Sequence, residues 1–246
     1  MTKPIFKHLT IFSAAFVLLG AAVFGVAQQP GGTKLNPRPE ISTSSQLAGK
    51  PDEKPPTPAK FSYEFNQPDF YVRHITIEHD ANGRGRITFE RMRQETPIVE
   101  PLEFSPTTLA RISGLWQSLN FLDSTENYQS DRQFAHLGTM RLSMEQDQRK
   151  RTAEFNWTKN SSAFALVNEY RRVADQAILV FDISVARETQ PLNGPKLMET
   201  LELLLKRNGL SDPKQLLPLL KDITSDEHLP LIARNHAARL VKKIEK

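Results

Sequence analysis

The chain contains no cysteine among its 246 residues. This absence excludes disulfide bonds, a thiol nucleophile, thiolate metal ligands and a lipid-modified N-terminal cysteine. Because no disulfide can staple the fold, stability must come from a hydrophobic core, and the chain is long enough to form one. Hydrophobic residues make up 39% of the sequence and charged residues 24%, proportions that are typical of a globular protein.

The sequence also lacks the short motifs that mark common catalytic and cofactor sites. It has no G-x-S-x-G nucleophile motif, no Gly-rich phosphate loop and no HExxH or HxH pair. Four pairs of neighbouring carboxylates are the remaining acid–base candidates, although solvated turns give the same pattern: Glu78/Asp80, Asp123/Glu126, Glu145/Asp147 and Asp226/Glu227. We therefore predict no catalytic residue, no metal ligand and no cofactor, and enzymatic activity stays an open question.

An excess of positive charge is present but small. The formal net charge is +4, and Lys3 and Lys7 of the N-terminal segment supply two of these charges, so the rest of the chain carries +2. This narrow excess gives no reason to expect a nucleic-acid partner. Basic residues do cluster at the tips of two predicted hairpins, where anionic lipid or a surface polymer is the candidate ligand: Arg84, Arg86, Arg149, Lys150 and Arg151.

The first 60 residues have the layout of a secretory signal followed by a linker. Lys3 and Lys7 precede an uncharged apolar run over residues 11–26, and Gly25-Val26-Ala27 supplies a small-residue cleavage site. The run is 16 residues long, just under the ~17 that span a bilayer. A signal peptide over residues 1–27 is the first interpretation, and an uncleaved anchor is the alternative.

Residues 28–60 are rich in Pro, Ser, Thr and Gly and contain no aromatic residue, a composition that predicts a disordered linker. Both interpretations of the N-terminal segment place the folded region outside the cytoplasm. We therefore predict an exported protein, periplasmic or secreted. Contact with a membrane is expected only through residues 11–26, if these remain as an anchor.

Residues 61–188 predict an α+β domain in which a hairpin and a helix are followed by a second hairpin and a second helix. Alternating residues lead to Asn82-Gly83, where a type I′ turn would require positive φ at both positions. A second alternation runs from Met140 to Trp157 around a polar centre. Because two-stranded ribbons are marginal alone, we expect one antiparallel sheet of at least four strands, packed on both helices.

The helices and two shorter segments complete the predicted domain. Ser105-Pro106 is an N-cap followed by proline at the first helical position. A long helix begins near Ser161, and its buried face is expected to start with Phe164. Residues 61–65 alternate as a short strand or as a strip laid over the domain, and residues 98–104 are expected at a sheet edge because they contain a proline.

Residues 189–246 predict a helical tail, with a left-handed C-cap at Asn208-Gly209 and an N-cap at Asp212-Pro213. The run LLPLLKDITSDEHLPLIARNHAARLVKKI, within residues 212–244, resembles a single HEAT repeat. It has a leucine-rich first helix, Asp226 in the turn and an alanine pattern in the second helix. The resemblance implies a protein-binding helical surface. Because such repeats normally stack in threes or more, packing onto the α+β domain is the alternative that we favour.

These patterns favour an exported, non-enzymatic module that binds a protein partner in the cell envelope or the secreted space. The missing catalytic motifs and the linker, which lets a tethered module search for its target, are the reasons. Two alternatives stay open. One is an enzyme of unrecognised type acting on wall polymer or polysaccharide through the paired carboxylates, and the other is a basic-patch binder of anionic lipid or surface polymer.

Overall fold

The computed structural model of the protein describes residues 58–246. The predicted signal and the predicted linker up to residue 57 lie outside the described residues. Residues 58–246 belong to one compact unit and form a six-stranded antiparallel sheet with five α-helices. The predicted α+β class is confirmed.

Both predicted hairpins are present, but they do not pair with each other. The sheet order is β4-β3-β2-β1-β5-β6, so β1 lies in the centre and pairs with one strand of each hairpin. The alternating aromatic residues of 61–65 therefore form a central strand. The strands are β1 Lys60–Asn66, β2 Val72–Asp80, β3 Arg84–Arg91, β4 Ile98–Glu103, β5 Thr139–Gln146 and β6 Arg149–Phe155. β4 lies at an edge, as predicted for a strand that contains a proline.

The turn of the first hairpin is not the predicted type I′ turn. Gly83 has a φ of 75°, but Asn82 does not have a positive φ. The N–H of Gly83 donates to the carbonyl of Asp80 at 3.1 Å, and the Asp80 carboxylate accepts from the N–H groups of Asn82 and Arg84 at 2.8 and 3.0 Å. The loop therefore has three residues, of which Gly83 is left-handed. The Asp80 side chain organises the turn through its hydrogen bonds to the backbone.

Helices α1 and α2 both begin where the sequence predicts. Helix α1 spans Pro106–Ser118, and Ser105 Oγ accepts from the N–H of Thr108 at 3.2 Å. Helix α2 spans Ser161–Thr189, and Asn160 Oδ1 accepts from the N–H of Ala163 at 2.9 Å. Its 29 residues correspond to a length of about 44 Å at 1.5 Å per residue. Within residues 58–246, no helix is both long and apolar enough to cross a membrane.

The three helices of the tail are α3 Gly194–Lys206, α4 Leu217–Ser225 and α5 Leu231–Ile244. The left-handed residue after α3 is Asn208, with a φ of 54°, and Gly209 follows it. The N–H of Gly209 donates to the carbonyl of Leu204 at 2.8 Å, which is the hydrogen bond of a Schellman motif. The predicted left-handed C-cap is therefore present, and Asn208 rather than Gly209 adopts the left-handed conformation.

The helix expected from the Asp212 N-cap is divided in two. Residues Pro213–Leu216 form a 3₁₀ turn, and the α-helix begins only at Leu217. Pro218 accounts for the break, because proline lacks the N–H of an interior helical residue and its ring clashes with the carbonyl four residues earlier.

Helix α2 contributes to two hydrophobic cores, which we call the sheet core and the tail core. Its N-terminal part, from Ala163 to Ala174, packs in the sheet core against the apolar sheet face and α1. Leu179 and Ile183 belong instead to the tail core, together with buried leucine, isoleucine and alanine residues of α3, α4 and α5. The tail helices therefore pack on the C-terminal half of a helix whose other half covers the sheet.

A buried polar cluster also joins α1 and α2 to the loop that follows α3. The Glu169 side chain is only 5% exposed, and its carboxylate accepts from Arg111 at 2.9 Å, Arg172 at 2.8 Å and Ser211 at 2.6 Å. Arg172 also donates to the carbonyl of Leu210 at 2.8 Å. A buried carboxylate needs such donors, so the cluster fixes the loop against both helices.

Candidate functional site

An aromatic-lined groove opens at the end of the sheet that lies away from the two hairpin turns. The loop between β1 and β2, the end of β6 and the first half of α2 form its walls. Its volume of about 650 Å³ falls in the range of ligand-binding pockets. Six aromatic side chains line it in addition to the buried Tyr63: Phe65, Phe70, Tyr71, Phe155, Trp157 and Phe164.

Four of these aromatic side chains are exposed to solvent. Tyr71 is 65% exposed, Phe70 and Phe164 are each 44% exposed, and Trp157 is 37% exposed. The Trp157 and Phe164 rings lie edge to face with their centroids 6.1 Å apart. Large aromatic side chains that converge at the surface are typical of an interaction site, because burying them on binding contributes much more free energy than burying small side chains.

Hydrogen bonds hold the Trp157 wall of the groove in place. The carbonyl of Trp157 accepts from the N–H of Ser130 at 2.9 Å. The neighbouring Asn156 Oδ1 accepts from the N–H of Phe134 at 3.2 Å, and the Phe134 ring packs edge to face on Trp157 at 5.3 Å. The loop between α1 and β5 therefore braces this wall of the groove.

The floor of the groove contains a buried hydroxyl group without a hydrogen-bond partner. Tyr63 is 0% exposed, and its ring is stacked on Tyr170 at 5.0 Å with an interplanar angle of 1°. Its Oη atom has no partner among the described residues. Burial raises the pKa of Tyr63 to about 12, although the nearby Arg171 favours the charged form. The guanidinium lies beside Oη without the geometry of a hydrogen bond.

Arg171 lies in the same groove and also lacks a good acceptor. Its guanidinium lies over the Phe65 ring at 5.7 Å, and Nη2 donates to the Sδ atom of Met140 at 3.1 Å. A thioether is a weak acceptor. Asp175, one helical turn further on, is 3.6 Å from Arg207, and within residues 58–246 no carboxylate lies within ion-pair distance of Arg171. Desolvation raises the pKa of Asp175, whereas Arg207 and Arg171 lower it.

The basic residues that the sequence singled out lie at one end of the sheet but on both of its faces. Lys60 pairs with Asp80 in β2 and with Glu145 in β5, so the two hairpin turns are at the same end. Arg84, Arg86 and Lys150 lie on the face opposite the helices, which we call the open face. Arg149 and Arg151 alternate with Lys150 along β6 and lie on the helix side.

Most of these basic side chains are already engaged within the protein. On the open face, Arg84 pairs with Glu103 at 3.3 Å and Arg86 with Glu78 at 2.6 Å. Arg149 pairs with Asp123. Arg151 donates to the carbonyls of Phe121 and Glu126, each at 2.6 Å, and its guanidinium lies over the Phe121 ring at 4.5 Å. Arg151 therefore holds the loop after α1.

Two of the acid–base candidates, Asp80 and Asp226, are likewise engaged with a turn and with an arginine. Asp80 organises the first hairpin turn, and hydrogen bonds from the backbone N–H groups of Arg84 and Asn82 lower its pKa. The Asp226 carboxylate accepts from Arg187 Nε at 2.9 Å, which lowers the pKa of Asp226. Among the residues that the structure describes, no group of three or more His, Asp or Glu residues is placed to hold a metal ion.

The most buried histidine of residues 58–246 belongs to a hydrogen-bond chain inside the sheet core. His79 Nδ1 lies 2.7 Å from the carbonyl of Asp80, so Nδ1 must be the donor and Nε2 the acceptor. Nε2 then accepts from the Tyr170 hydroxyl at 2.7 Å, and that hydroxyl accepts from Trp116 Nε1 at 2.9 Å. Burial lowers the pKa of His79. Every polar group in this series of hydrogen bonds has a partner, and His79 is 5% exposed. We therefore assign the series a structural role in the sheet core.

Sequence reasoning missed the groove. Periodicity assigned Trp157 to the second hairpin and Phe164 to the buried face of α2, but Trp157 follows the end of β6 and both side chains are partly exposed. The available signal was the concentration of aromatic residues at the strand ends, which apolar periodicity treats as ordinary core positions.

Comparison with known proteins adds no relative. No protein-family model matches the chain, and no curated protein matches it in sequence.

Proposed function

We propose that the protein is an exported, non-enzymatic binding module whose aromatic groove receives a segment of a partner protein. The observation that carries this proposal is the convergence of four exposed aromatic side chains on one groove of about 650 Å³. Aromatic residues dominate the energetics of protein interfaces, where a few anchors in well-packed pockets supply most of the affinity.

Preorganisation supports the same proposal. Phe164 stands in the first turn of α2, and the Trp157 backbone is fixed by a hydrogen bond from Ser130. Side chains that are already ordered lose little conformational entropy when a ligand binds, so more of the interaction energy appears as affinity.

Selection from a library of displayed random peptides, with the full chain as bait, tests this function. We expect enrichment of peptides with apolar side chains, and we expect Trp157→Ala or Phe164→Ala to abolish it. Leu192→Ala is the matched control, because Leu192 is an apolar side chain with 85% exposure on the tail. Peptides that bind wild type and Trp157→Ala equally well would contradict the proposal.

Export is the second part of the proposal and rests on the sequence of the N-terminal segment. Lys3, Lys7, the apolar run and the small residues before Gln28 support a cleaved signal. N-terminal sequencing of protein from the envelope fraction and the medium is the test, and a mature chain that begins at Gln28 is expected. Accumulation of the intact chain in the cytoplasm would contradict export.

A further inference from the structure

Two polar groups in the groove lack an acceptor, although the rest of its surface is mainly apolar. Among residues 58–246, the buried hydroxyl of Tyr63 has no hydrogen-bond partner, and the guanidinium of Arg171 donates to a thioether sulfur and lies over an aromatic ring. A buried donor without an acceptor costs free energy. A ligand that brings an acceptor to this position therefore recovers that cost on binding.

We propose that the groove binds the C-terminal residue of a partner chain, with its α-carboxylate on Arg171 and its apolar side chain among the aromatic rings. This inference rests on the proposed function, since it names the part of the partner that enters the groove. The Tyr63 hydroxyl, beside the guanidinium, is the second donor for the same carboxylate.

Charge complementarity indicates a carboxylate. Arg91, Arg172 and Arg187 are partly buried, and each has a carboxylate within 3.0 Å. Among residues 58–246, no carboxylate lies within ion-pair distance of Arg171. A planar guanidinium binds a carboxylate through two parallel hydrogen bonds, which are stronger than bonds between neutral groups.

The position of the cation among aromatic rings indicates a chain terminus rather than an acidic side chain. A C-terminal Phe or Leu carries its carboxylate and its apolar side chain on the same Cα atom. An internal Asp or Glu has no apolar side chain on its own Cα atom, and the chain must also leave the groove again.

Isothermal titration of the full chain with two forms of one peptide tests the inference. The probes are acetyl-Ala-Ala-Leu-Phe with a free C-terminal carboxylate and the same peptide as its C-terminal amide. We expect the acid to bind about tenfold or more tightly than the amide, as for a hydrogen-bonded charged group. Arg171→Gln is expected to remove this preference, so that the acid binds no more tightly than the amide.

Three further variants test whether the preference for the acid depends on the Arg171 guanidinium and the Tyr63 hydroxyl. Arg239→Gln, an exposed arginine on α5, is the charge-matched control and should retain the full preference for the acid. Arg171→Lys keeps the charge but loses the planar fork, so an intermediate preference is expected. Tyr63→Phe should weaken binding of the acid by a smaller factor than Arg171→Gln. Near-UV circular dichroism checks that each variant keeps the wild-type fold.

The outcomes separate this inference from the proposed function. Equal affinity for acid and amide, with both lost in Trp157→Ala, would leave the groove as the binding site and overturn the terminal-carboxylate inference. Selection of displayed peptides that have no free C-terminus would also overturn it. Binding of dodecanoate that depends on Arg171, without binding of the acid peptide, would overturn it and identify a free fatty acid as the ligand.

Discussion

The sheet core and the tail core share helix α2 but are built from different side chains. Nine of the 20 buried residues of the sheet core are aromatic, whereas none of the 15 buried residues of the tail core is. The chain contains no aromatic residue after Phe181. Aliphatic side chains fill the tail core, whereas aromatic side chains of the sheet core also line the groove at the surface.

This contrast indicates where a binding site can arise in such a fold. Leucine and alanine on regular helices interdigitate and leave little exposed surface between the helices. Flat aromatic rings at the ends of β1, β2 and β6 extend beyond the area that α2 covers. The same side chains that stabilise the sheet core therefore supply the exposed surface at its end.

The largest loss of stability is expected from a substitution in the tail core, and it tests whether the two cores unfold together. Leu220 is 0% exposed in the tail core, and we expect Leu220→Ala to lower the free energy of unfolding by about 2–5 kcal/mol. Because α2 belongs to both cores, one transition is expected in urea. Fluorescence reports on the sheet side alone, where Trp116 and Trp157 lie, and far-UV circular dichroism reports on all helices.

Separate midpoints from these two signals in Leu220→Ala, with fluorescence unchanged from wild type, would show that the cores unfold independently. Leu203→Ala is the control for this substitution. Leu203 lies on α3 and is 62% exposed, so its replacement should change the free energy of unfolding by less than about 0.5 kcal/mol.

A smaller loss of stability is expected at the polar cluster that connects the cores. Glu169→Gln keeps the shape of the side chain but removes the anion that Arg111 and Arg172 contact. We expect the free energy of unfolding to fall by about 1–3 kcal/mol, measured by urea denaturation. Glu199→Gln, an exposed position on α3, should leave the midpoint unchanged; equal effects of the two substitutions would show that the cluster adds no stability.

The buried histidine of the sheet core predicts a dependence of stability on pH. The pKa of His79 is lowered from its ordinary value of 6.5 in the folded state, so the unfolded chain takes up the proton first as pH falls. Stability from neutral His79 is therefore complete above about pH 6.5 and declines as the pH falls towards the folded-state pKa. Urea midpoints between pH 7.5 and pH 5 measure it.

His79→Phe should remove this part of the decline, because the titrating group is gone. His228→Gln is the control, since the His228 side chain is 90% exposed, and it should retain the wild-type decline. An unchanged pH profile in His79→Phe would assign the decline to other groups.

The smallest effect is expected on the open face, where acidic and basic side chains alternate. Replacing Arg84, Arg86 and Lys150 by glutamine should change the free energy of unfolding by less than about 1 kcal/mol, because exposed ion pairs contribute little. Retention of the full chain on phosphatidylserine vesicles should match wild type. A clear loss of retention in this variant would favour the binding of anionic lipid by the hairpin tips.

The sequence was sufficient for the α+β order, the starts of α1 and α2 and the edge position of β4, because these depend on local pattern and on the chemistry of Ser105 and Pro101. It did not predict that β1 would lie between the hairpins. That position is set by contacts between residues distant in the chain, such as the pairing of Tyr63 with Ile77 and Leu142.

The groove could not be predicted from the sequence for a related reason. Periodicity identifies which side of a strand or helix is apolar, but it does not say where the covering element ends. Trp157 and Phe164 have the spacing of core residues and become exposed because they lie at the border of the packed layers.

Binding of selected peptides to matched variants of the groove and of the tail tests whether the groove is the binding site. Trp157→Ala removes an aromatic side chain from the groove, and Ile232→Ala removes an apolar side chain that is 71% exposed on the tail. We predict that Trp157→Ala lowers the affinity at least tenfold and that Ile232→Ala leaves it unchanged. Loss of affinity in Ile232→Ala with full affinity in Trp157→Ala would contradict the account and move the binding site to the tail.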